Sequence, residues 1–165
     1  MEESMEIISS TVEEFVKKQK SQRRKATMLS TSNGAKCLII QTVPMHIFRA
    51  YIVEDHSLIE AGVLTVSHDM DNAKNIELST VKVEEEFRNQ GIGSLLVKRA
   101  ITTAYFEGYD SISLTSFKST MEFFEQYGFR PTAGQLNCLT TWSEHTLVKM
   151  ELPLLVKHKS QQHSL

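Results

Sequence analysis

Residues 76–93 read IELSTVKVEEEFRNQGIG, and this stretch decides the fold. The β-forming residues from Ile76 to Val83 predict a strand, and the acidic link Glu84 to Glu86 follows it. The turn Arg88 to Gly93 then opens a helix predicted over Gly91 to Glu107. A helix that begins at a glycine turn presents backbone N–H groups at its positive end. The stretch therefore predicts a strand, a turn and a helix, with the turn able to receive an anion.

The side chains of this turn favour a pyrophosphate ligand. No acidic cap stands at Gln90 or Gly91, and the glycines carry no side chain that could block a ligand. Arg88 adds a cation and Ser94 a hydroxyl. The turn lacks the Gly-Lys-Ser or Gly-Lys-Thr of a P-loop. It also lacks the third glycine, near Leu96, of a dinucleotide fingerprint. Coenzyme A is the remaining phosphate-bearing ligand of the three that we compare.

The segments around the turn predict an α/β (α+β type) fold, with a mixed, mainly antiparallel central sheet flanked by helices. Upstream strands joined by short polar turns form an antiparallel meander. Two further helices each begin at the Ser-x-x-Glu spacing of a capping box, at Ser10 and at Ser119. The predicted strands are Cys37 to Ile40, His46 to Val53, Leu58 to Val66, Ile76 to Val83, Ser111 to Thr115 and His145 to Leu152. The predicted flanking helices are Thr11 to Ala26 and Ser119 to Tyr127.

Length and composition indicate one small cytoplasmic domain. The chain has 165 residues and a formal net charge of −2. We assign residues 1–157 to this domain and expect a disordered tail at 158–165. The acidic N-terminus and the lack of a long apolar run argue against a signal peptide and a membrane span. The small net charge gives no field that would attract nucleic acid or a membrane surface.

For the cysteines, the histidines and the basic segment, a structural interpretation is favoured over a functional one. Cys37 and Cys138 lie far apart and are expected to be buried, reduced thiols. The six histidines form no metal-binding spacing, so no metal site is predicted. The cations between Lys17 and Lys25 could meet an acidic partner, but a solvated helix end is the favoured interpretation. His68, Asp69 and Asp71 mark a polar loop, and Trp142 and Phe117 are expected in core packing.

The turn and its surroundings resemble the GNAT superfamily of N-acyltransferases. The family signature is Arg/Gln-x-x-Gly-x-Gly/Ala between a strand and a long helix, and residues 88–93 fit every fixed position. Residues 123–129, FFEQYGF, are similar to its aromatic segment ending in Gly-Phe. The resemblance covers the chain from about Leu58 to Leu152. It implies a core that binds acetyl-coenzyme A (acetyl-CoA) as acyl donor.

The resemblance also implies roles for individual residues. The backbone of Val81, Lys82 and Val83 would pair with the pantetheine arm. The N–H groups of Asn89, Gln90, Gly91, Ile92, Gly93 and Ser94 would hold the pyrophosphate beside Arg88. Glu77 stands where several family members carry a catalytic glutamate. A carboxylate there could take the proton of an attacking amine, helped by partial burial.

The chain departs from the family pattern at three places. Phe124 matches the position of a tyrosine that protonates the leaving thiolate, and Phe117 matches an asparagine that contacts pantetheine. Tyr127 is not a direct substitute, since three residues turn it by about 300° around a helix. The family also places two helices between its first two strands, whereas one helix is predicted before Cys37. Either Met5 to Ile8 is the first strand or the helices are rearranged.

We therefore expect an N-acetyltransferase that moves an acetyl group from acetyl-CoA to a primary amine by direct attack. The alternative is a GNAT-like module that binds coenzyme A or a protein partner with little or no turnover. A monomer or homodimer fits both hypotheses. A protein N-terminus, a lysine, a polyamine and a small metabolite are all open as acceptors.

Overall fold

A computed structural model of the protein describes residues 2–55, 57–132 and 144–154, with the backbone alone for residues 2–11. Its three α-helices are α1 (Glu2–Ser21), α2 (Ile92–Glu107) and α3 (Met121–Glu125). Short 3-10 helices span Glu85–Phe87 and Lys118–Thr120. The strands among the described residues are β1 (Arg24–Ser30), β2 (Lys36–Thr42), β3 (Ile47–Glu54), β4 (Ser57–His68), β5 (Asn75–Val83), β6 (Ser111–Phe117), β7 (Arg130–Pro131) and β8 (Leu147–Pro153).

The strands form one mixed sheet in the order β1-β2-β3-β4-β5-β6-β8-β7. The pairs β1–β2, β2–β3 and β3–β4 are antiparallel, and a register shift at Ala50/Tyr51 bends the β3–β4 pair. Strand β8 pairs antiparallel with both β6 and β7. The predicted fold class, a mainly antiparallel mixed sheet flanked by helices, is confirmed.

Contacts divide the chain into two compact units. The first comprises Met1–Ser67 and Leu78–Ile101. Alternation along β3 gives it a core, because Phe48, Ala50 and Ile52 are buried while the side chains between them are partly exposed. The second unit comprises His68–Glu77 and Thr102–Leu165. Its fully buried side chains include Ile76, Ile112, Phe129, Val148 and Met150.

The N-terminal prediction was wrong. Helix α1 begins at Glu2, so Ser10 lies inside it and not at its start. The helix ends at Ser21, and left-handed Arg23 (φ 56°) turns the chain into β1, where a helix was expected up to Ala26. The residues proposed as a first strand, Met5 to Ile8, are helical. The polar, basic sequence of this turn contains no glycine or proline to signal the break.

Strands β2 and β3 are joined directly by residues 43–46, with no helix between them. Helix α1 instead precedes the sheet, and its Phe15 ring meets Tyr51 of β3 edge-on at 5.8 Å. Within the described residues, none of the helices has both the length and the apolar character that crossing a bilayer requires.

The remaining elements follow their predictions with one further correction. The helix expected from Ser119 to Tyr127 is shorter, because a 3-10 turn occupies Lys118–Thr120 before α3 starts. Thr120 takes the N-cap position and makes no side-chain cap bond, so the capping box predicted at Ser119 is absent. Gly108 and Gly128 follow α2 and α3 with φ of 84° and 97°, as expected of C-terminal glycines.

Candidate functional site

The turn at residues 88–93 is built around two left-handed residues. Asn89 has φ 61° and Gly91 has φ 79°, while Arg88 before them is extended. A left-handed conformation costs a non-glycine residue about 1 kcal/mol or more, so contacts must hold Asn89 in place. Helix α2 follows at Ile92, and the amide of Leu95 donates to the Gly91 carbonyl at 3.0 Å.

This arrangement makes the start of α2 a cradle for an anion. The amides of Ile92 and Gly93 precede the first helical hydrogen bond and have no carbonyl within the helix to bond. The first turn of α2 contains no acidic side chain. The helix end carries about half a positive charge, which favours a phosphate there. Arg88 is exposed beside the turn, and its Nε donates to the Val83 carbonyl at 3.2 Å.

The tip of the β1–β2 hairpin, residues 31–35, lies against this cradle. The amide of Ser32 donates to the Gln90 carbonyl at 3.0 Å. The Asn33 side-chain amide donates to Gln90 Oε1 at 3.3 Å. A Cβ on Gly91 would lie 3.5 Å from both Cβ and Oγ of Ser32. A Cβ would therefore make only ordinary contact with Ser32, and glycine is needed at position 91 chiefly for its positive φ.

Gly62 on β4 sets how closely α2 approaches the sheet. A Cβ there would lie 2.9 Å from the Lys82 carbonyl oxygen and 3.2 Å from Cδ1 of Leu96. Ile92, in the first turn of α2, would be 3.4 Å away. Sequence reasoning missed this residue. An isolated glycine within a strand was the available signal, because it marks a close approach of another segment.

The backbone of β5 near the turn alternates between groups that face β4 and groups that face away from it. The Glu84 amide donates to the Ala61 carbonyl of β4 at 2.8 Å, and the Lys82 carbonyl lies close to Gly62. Backbone groups alternate in direction along a strand, so those of Val81 and Val83 point away from β4. Of the three residues expected to pair with pantetheine, Val81 and Val83 have suitable backbone directions. Lys82 contributes an exposed side chain that pairs with Glu84 at 2.9 Å.

Glu77 is exposed on β5, between the buried side chains of Ile76 and Leu78. The partial burial expected for a tuned base is therefore absent. The next exposed side chain on that face, Ser79, has its hydroxyl bonded to the Ser67 hydroxyl of β4. The alternation expected along β5 is regular at this end. It changes phase at Ser79 and Thr80, which are both exposed.

The aromatic segment packs together rather than presenting an acid. Phe124 meets Phe123 at 5.0 Å and Phe129 at 6.1 Å, both edge-on. Tyr127 packs edge-on against Phe123 at 5.5 Å. Phe117, where the family pattern has asparagine, is half exposed at the end of β6, so the core packing expected for it was wrong.

The remaining candidate groups from the sequence are the cysteines, the histidines and a possible metal site. Cys37 is fully buried, and burial raises the pKa of its thiol to about 11, so it stays protonated at neutral pH. The ring nitrogen Nδ1 of His68 lies 3.3 Å from the Tyr109 hydroxyl. Within the described residues, no three His, Cys, Asp or Glu side chains converge on a metal position. Cys138, Trp142 and the tail at 158–165 lie outside the described residues.

Comparison with known proteins identifies the family. The model of the GNAT acetyltransferase domain matches residues 46–131, more than half of the chain. The chain therefore belongs to the GNAT acetyltransferase family, as the motif at 88–93 had indicated. A search of curated proteins finds no match.

Solved structures share the fold at low sequence identity. The NatC complex bound to Gag peptide and CoA aligns at 24% identity and a TM-score of 0.55, over 67% of this chain and 72% of that one. Nourseothricin acetyltransferase aligns at 19% and 0.51, over 80% and 85%. A Bacillus subtilis acetyltransferase in complex with CoA aligns at 22% and 0.50, over 67% and 78%. These similarities support the fold and do not identify a substrate for this protein.

Proposed function

We propose that the protein transfers an acetyl group from acetyl-CoA to a primary amine, with the cradle at residues 89–94 holding the pyrophosphate. The observation that carries this proposal is the cradle itself. Asn89 and Gly91 are left-handed, and α2 starts immediately afterwards with no acidic residue in its first turn. The family membership and two CoA-bound structural relatives support the choice of ligand.

The strand before the cradle would hold the rest of the donor. The backbone groups of Val81 and the amide of Val83 would pair with the amides of a pantetheine arm, as an added strand would, while the Val83 carbonyl accepts from Arg88 Nε. Arg88 and Ser94 supply a cation and a hydroxyl near the phosphates. The site residues of the donor are then Val81, Lys82, Val83, Arg88, Asn89, Gln90, Gly91, Ile92, Gly93 and Ser94.

Glu77 is the proposed general base. The amine nitrogen attacks the acetyl carbonyl carbon, the carbon–sulfur bond breaks, and the amine proton passes to Glu77 directly or through water. Because Glu77 is exposed, water has access to its carboxylate. Phe124 has no proton to give, so water protonates the departing thiolate.

Substitution of Glu77 by Gln tests this role. The change keeps the size of the side chain and removes the base, so kcat should fall by about 100-fold. The Kd for acetyl-CoA should stay unchanged in calorimetry. Glu151→Gln, at an exposed glutamate on β8, is the matched control and should retain kcat. Unchanged turnover in Glu77→Gln would show that another group takes the proton.

The second candidate is a GNAT module that binds coenzyme A or a protein partner without appreciable turnover. The packed phenylalanine at position 124 motivates it. A panel of peptide N-termini, lysine peptides, polyamines and small amines separates the two candidates and identifies the acceptor. Mass spectrometry should detect one acetylated amine together with released thiol. Binding without thiol release across the panel would favour the second candidate. Three further properties stay predictions: that the protein is cytoplasmic, that it is a monomer or homodimer, and that it binds neither nucleic acid nor membrane.

A further inference from the structure

The β1–β2 hairpin contacts the signature turn from outside the region that the family model matches. That region starts at residue 46, whereas the hairpin tip is residues 31–35. The tip meets Gln90 through the Ser32 amide (3.0 Å) and the Asn33 side chain (3.3 Å). The Gln90 side chain also donates back to the Glu86 carbonyl at 3.4 Å. Gln90, which lies between the two left-handed residues, is thus held on both sides.

The tip is itself braced from within. Asn33 Oδ1 accepts hydrogen bonds from the Thr31 hydroxyl and, at 3.4 Å, from the Ala35 amide. The Ala35 amide also donates to the Thr31 hydroxyl oxygen at 3.0 Å. Asn33 therefore uses its oxygen to shape the hairpin and its nitrogen to bind Gln90. Its two ends serve two different segments of the chain.

We propose that Ser32, through its backbone amide, and Asn33, through its side chain, position the turn at residues 88–93 for binding coenzyme A. This inference rests on the proposed function. The left-handed form of Asn89 is intrinsically unfavourable, so an unsupported turn would spend part of its time in other conformations. The hairpin tip selects the form whose amides converge on the pyrophosphate. Apparent affinity scales with the fraction of molecules in the binding-competent form.

Asn33→Asp isolates the contact. Aspartate keeps the oxygen that accepts from Thr31 and Ala35, and it loses the donor to Gln90 Oε1. Loss of one neutral hydrogen bond predicts a Kd for coenzyme A raised by about fivefold. Because the variant acts on the free protein, association should slow by the same factor and dissociation should stay as in the wild type. Stopped-flow mixing with a fluorescent coenzyme A derivative measures both rates.

Asn72→Asp is the matched control. Asn72 also lies in an exposed turn, and its Oδ1 accepts from the backbone amide two residues later, as Asn33 Oδ1 does. The control adds the same charge and should bind like the wild type. Repeating the experiment in high salt screens the charge added at Asn33, and the slower association should persist there. A cooperative thermal unfolding transition well above the assay temperature in each of the three proteins shows that each one is folded in the experiment.

The outcomes separate the two claims. If wild type binds and Asn33→Asp binds with the same rates, the positioning role is overturned while the proposed function stands. Faster dissociation with unchanged association, or a defect that vanishes in high salt, also overturns it. Failure of the wild type to bind coenzyme A overturns the proposed function and this inference together.

Discussion

Two polar turns of this protein differ in whether a carboxylate of their own bonds their backbone amides. In the turn at residues 69–75, Asp69 Oδ1 accepts from the amides of Asp71 (2.9 Å) and Asn72 (3.2 Å). The Asp71 amide contributes most to holding the pKa of the Asp69 carboxyl below its ordinary value. The turn at 88–93 has no carboxylate in the helical turn that follows it. A turn that supplies its own anion is complete, whereas one that lacks it can receive an anion from a ligand.

The acidic residues near the second turn do not alter this contrast. Glu84 pairs with Lys82, and Glu85 and Glu86 are exposed in the 3-10 helix that precedes the turn. From Arg88 to Leu95 the chain carries no acid. Three substitutions in these turns test whether the turn at 88–93 differs from the turn at 69–75 in its ability to bind an anion.

Ser94→Asp should have the largest effect, because it gives the second turn an anion of its own. Like charges about 8 Å apart repel by about 2 kcal/mol at an effective dielectric constant of about 20. The affinity for acetyl-CoA should then fall by about 30-fold. The free protein should be as stable as the wild type or more so, since an acid in the first helical turn interacts well with the helix dipole. Calorimetry and thermal unfolding measure the two quantities.

Ser94→Asn is the uncharged control and should lose much less affinity than Ser94→Asp. If the two variants bind acetyl-CoA equally, negative charge at the start of α2 does not matter to the ligand. The contrast between the two turns would then fail at its central point.

Gly91→Ala should weaken binding by about tenfold. Alanine at φ 79° costs about 1–2 kcal/mol, so the turn would relax away from the form that faces the ligand. Gly108→Ala is the matched control, since Gly108 has φ 84°, an open Cβ position and no place in the site. Both variants should unfold at a lower temperature, and only Gly91→Ala should raise the Kd measured by calorimetry. If Gly91→Ala and the wild type bind acetyl-CoA with equal affinity, the left-handed conformation at position 91 is not needed for binding.

Asp69→Asn should have the smallest effect on ligand binding, because the first turn is already complete. The variant should bind acetyl-CoA like the wild type and should be somewhat less stable at neutral pH. The lowered pKa of Asp69 means that its stabilising contribution is present above the ordinary aspartate value of 3.8 and is lost as the pH falls through the folded-state value. Thermal unfolding midpoints of wild type and variant should therefore converge below pH 3.8. A constant difference across that range would show that the carboxylate charge is unimportant.

The sheet and the glycine turn that opens α2 were predictable because their signals are local. Strands β3, β4 and β5 are rich in β-forming residues, and Gly91 and Gly108 mark the two ends of α2. The N-terminal break was not predictable, because Arg23 turns the chain in a basic segment without a glycine. Nothing local in the sequence announces β1 as a strand.

The contacts that support the proposed site were not predictable from the sequence, with one exception. The contact between Asn33 and Gln90 joins positions 57 apart in the chain, so no local pattern could show it. The exposure of Glu77 depends on what covers its face of β5, and that is settled by tertiary packing. Gly62 gave a local signal that could have been used, because a glycine within a strand marks a close approach.

One titration tests the central claim, that the cradle at residues 89–94 binds the pyrophosphate of acetyl-CoA. The wild-type protein is titrated in a calorimeter with acetyl-CoA and, separately, with S-acetylpantetheine, which has the same thioester arm but lacks the phosphates and the adenosine. Binding of acetyl-CoA that is much tighter than binding of S-acetylpantetheine is the predicted result. Equal affinity for the two compounds, or no binding of acetyl-CoA at millimolar concentration, would contradict the claim.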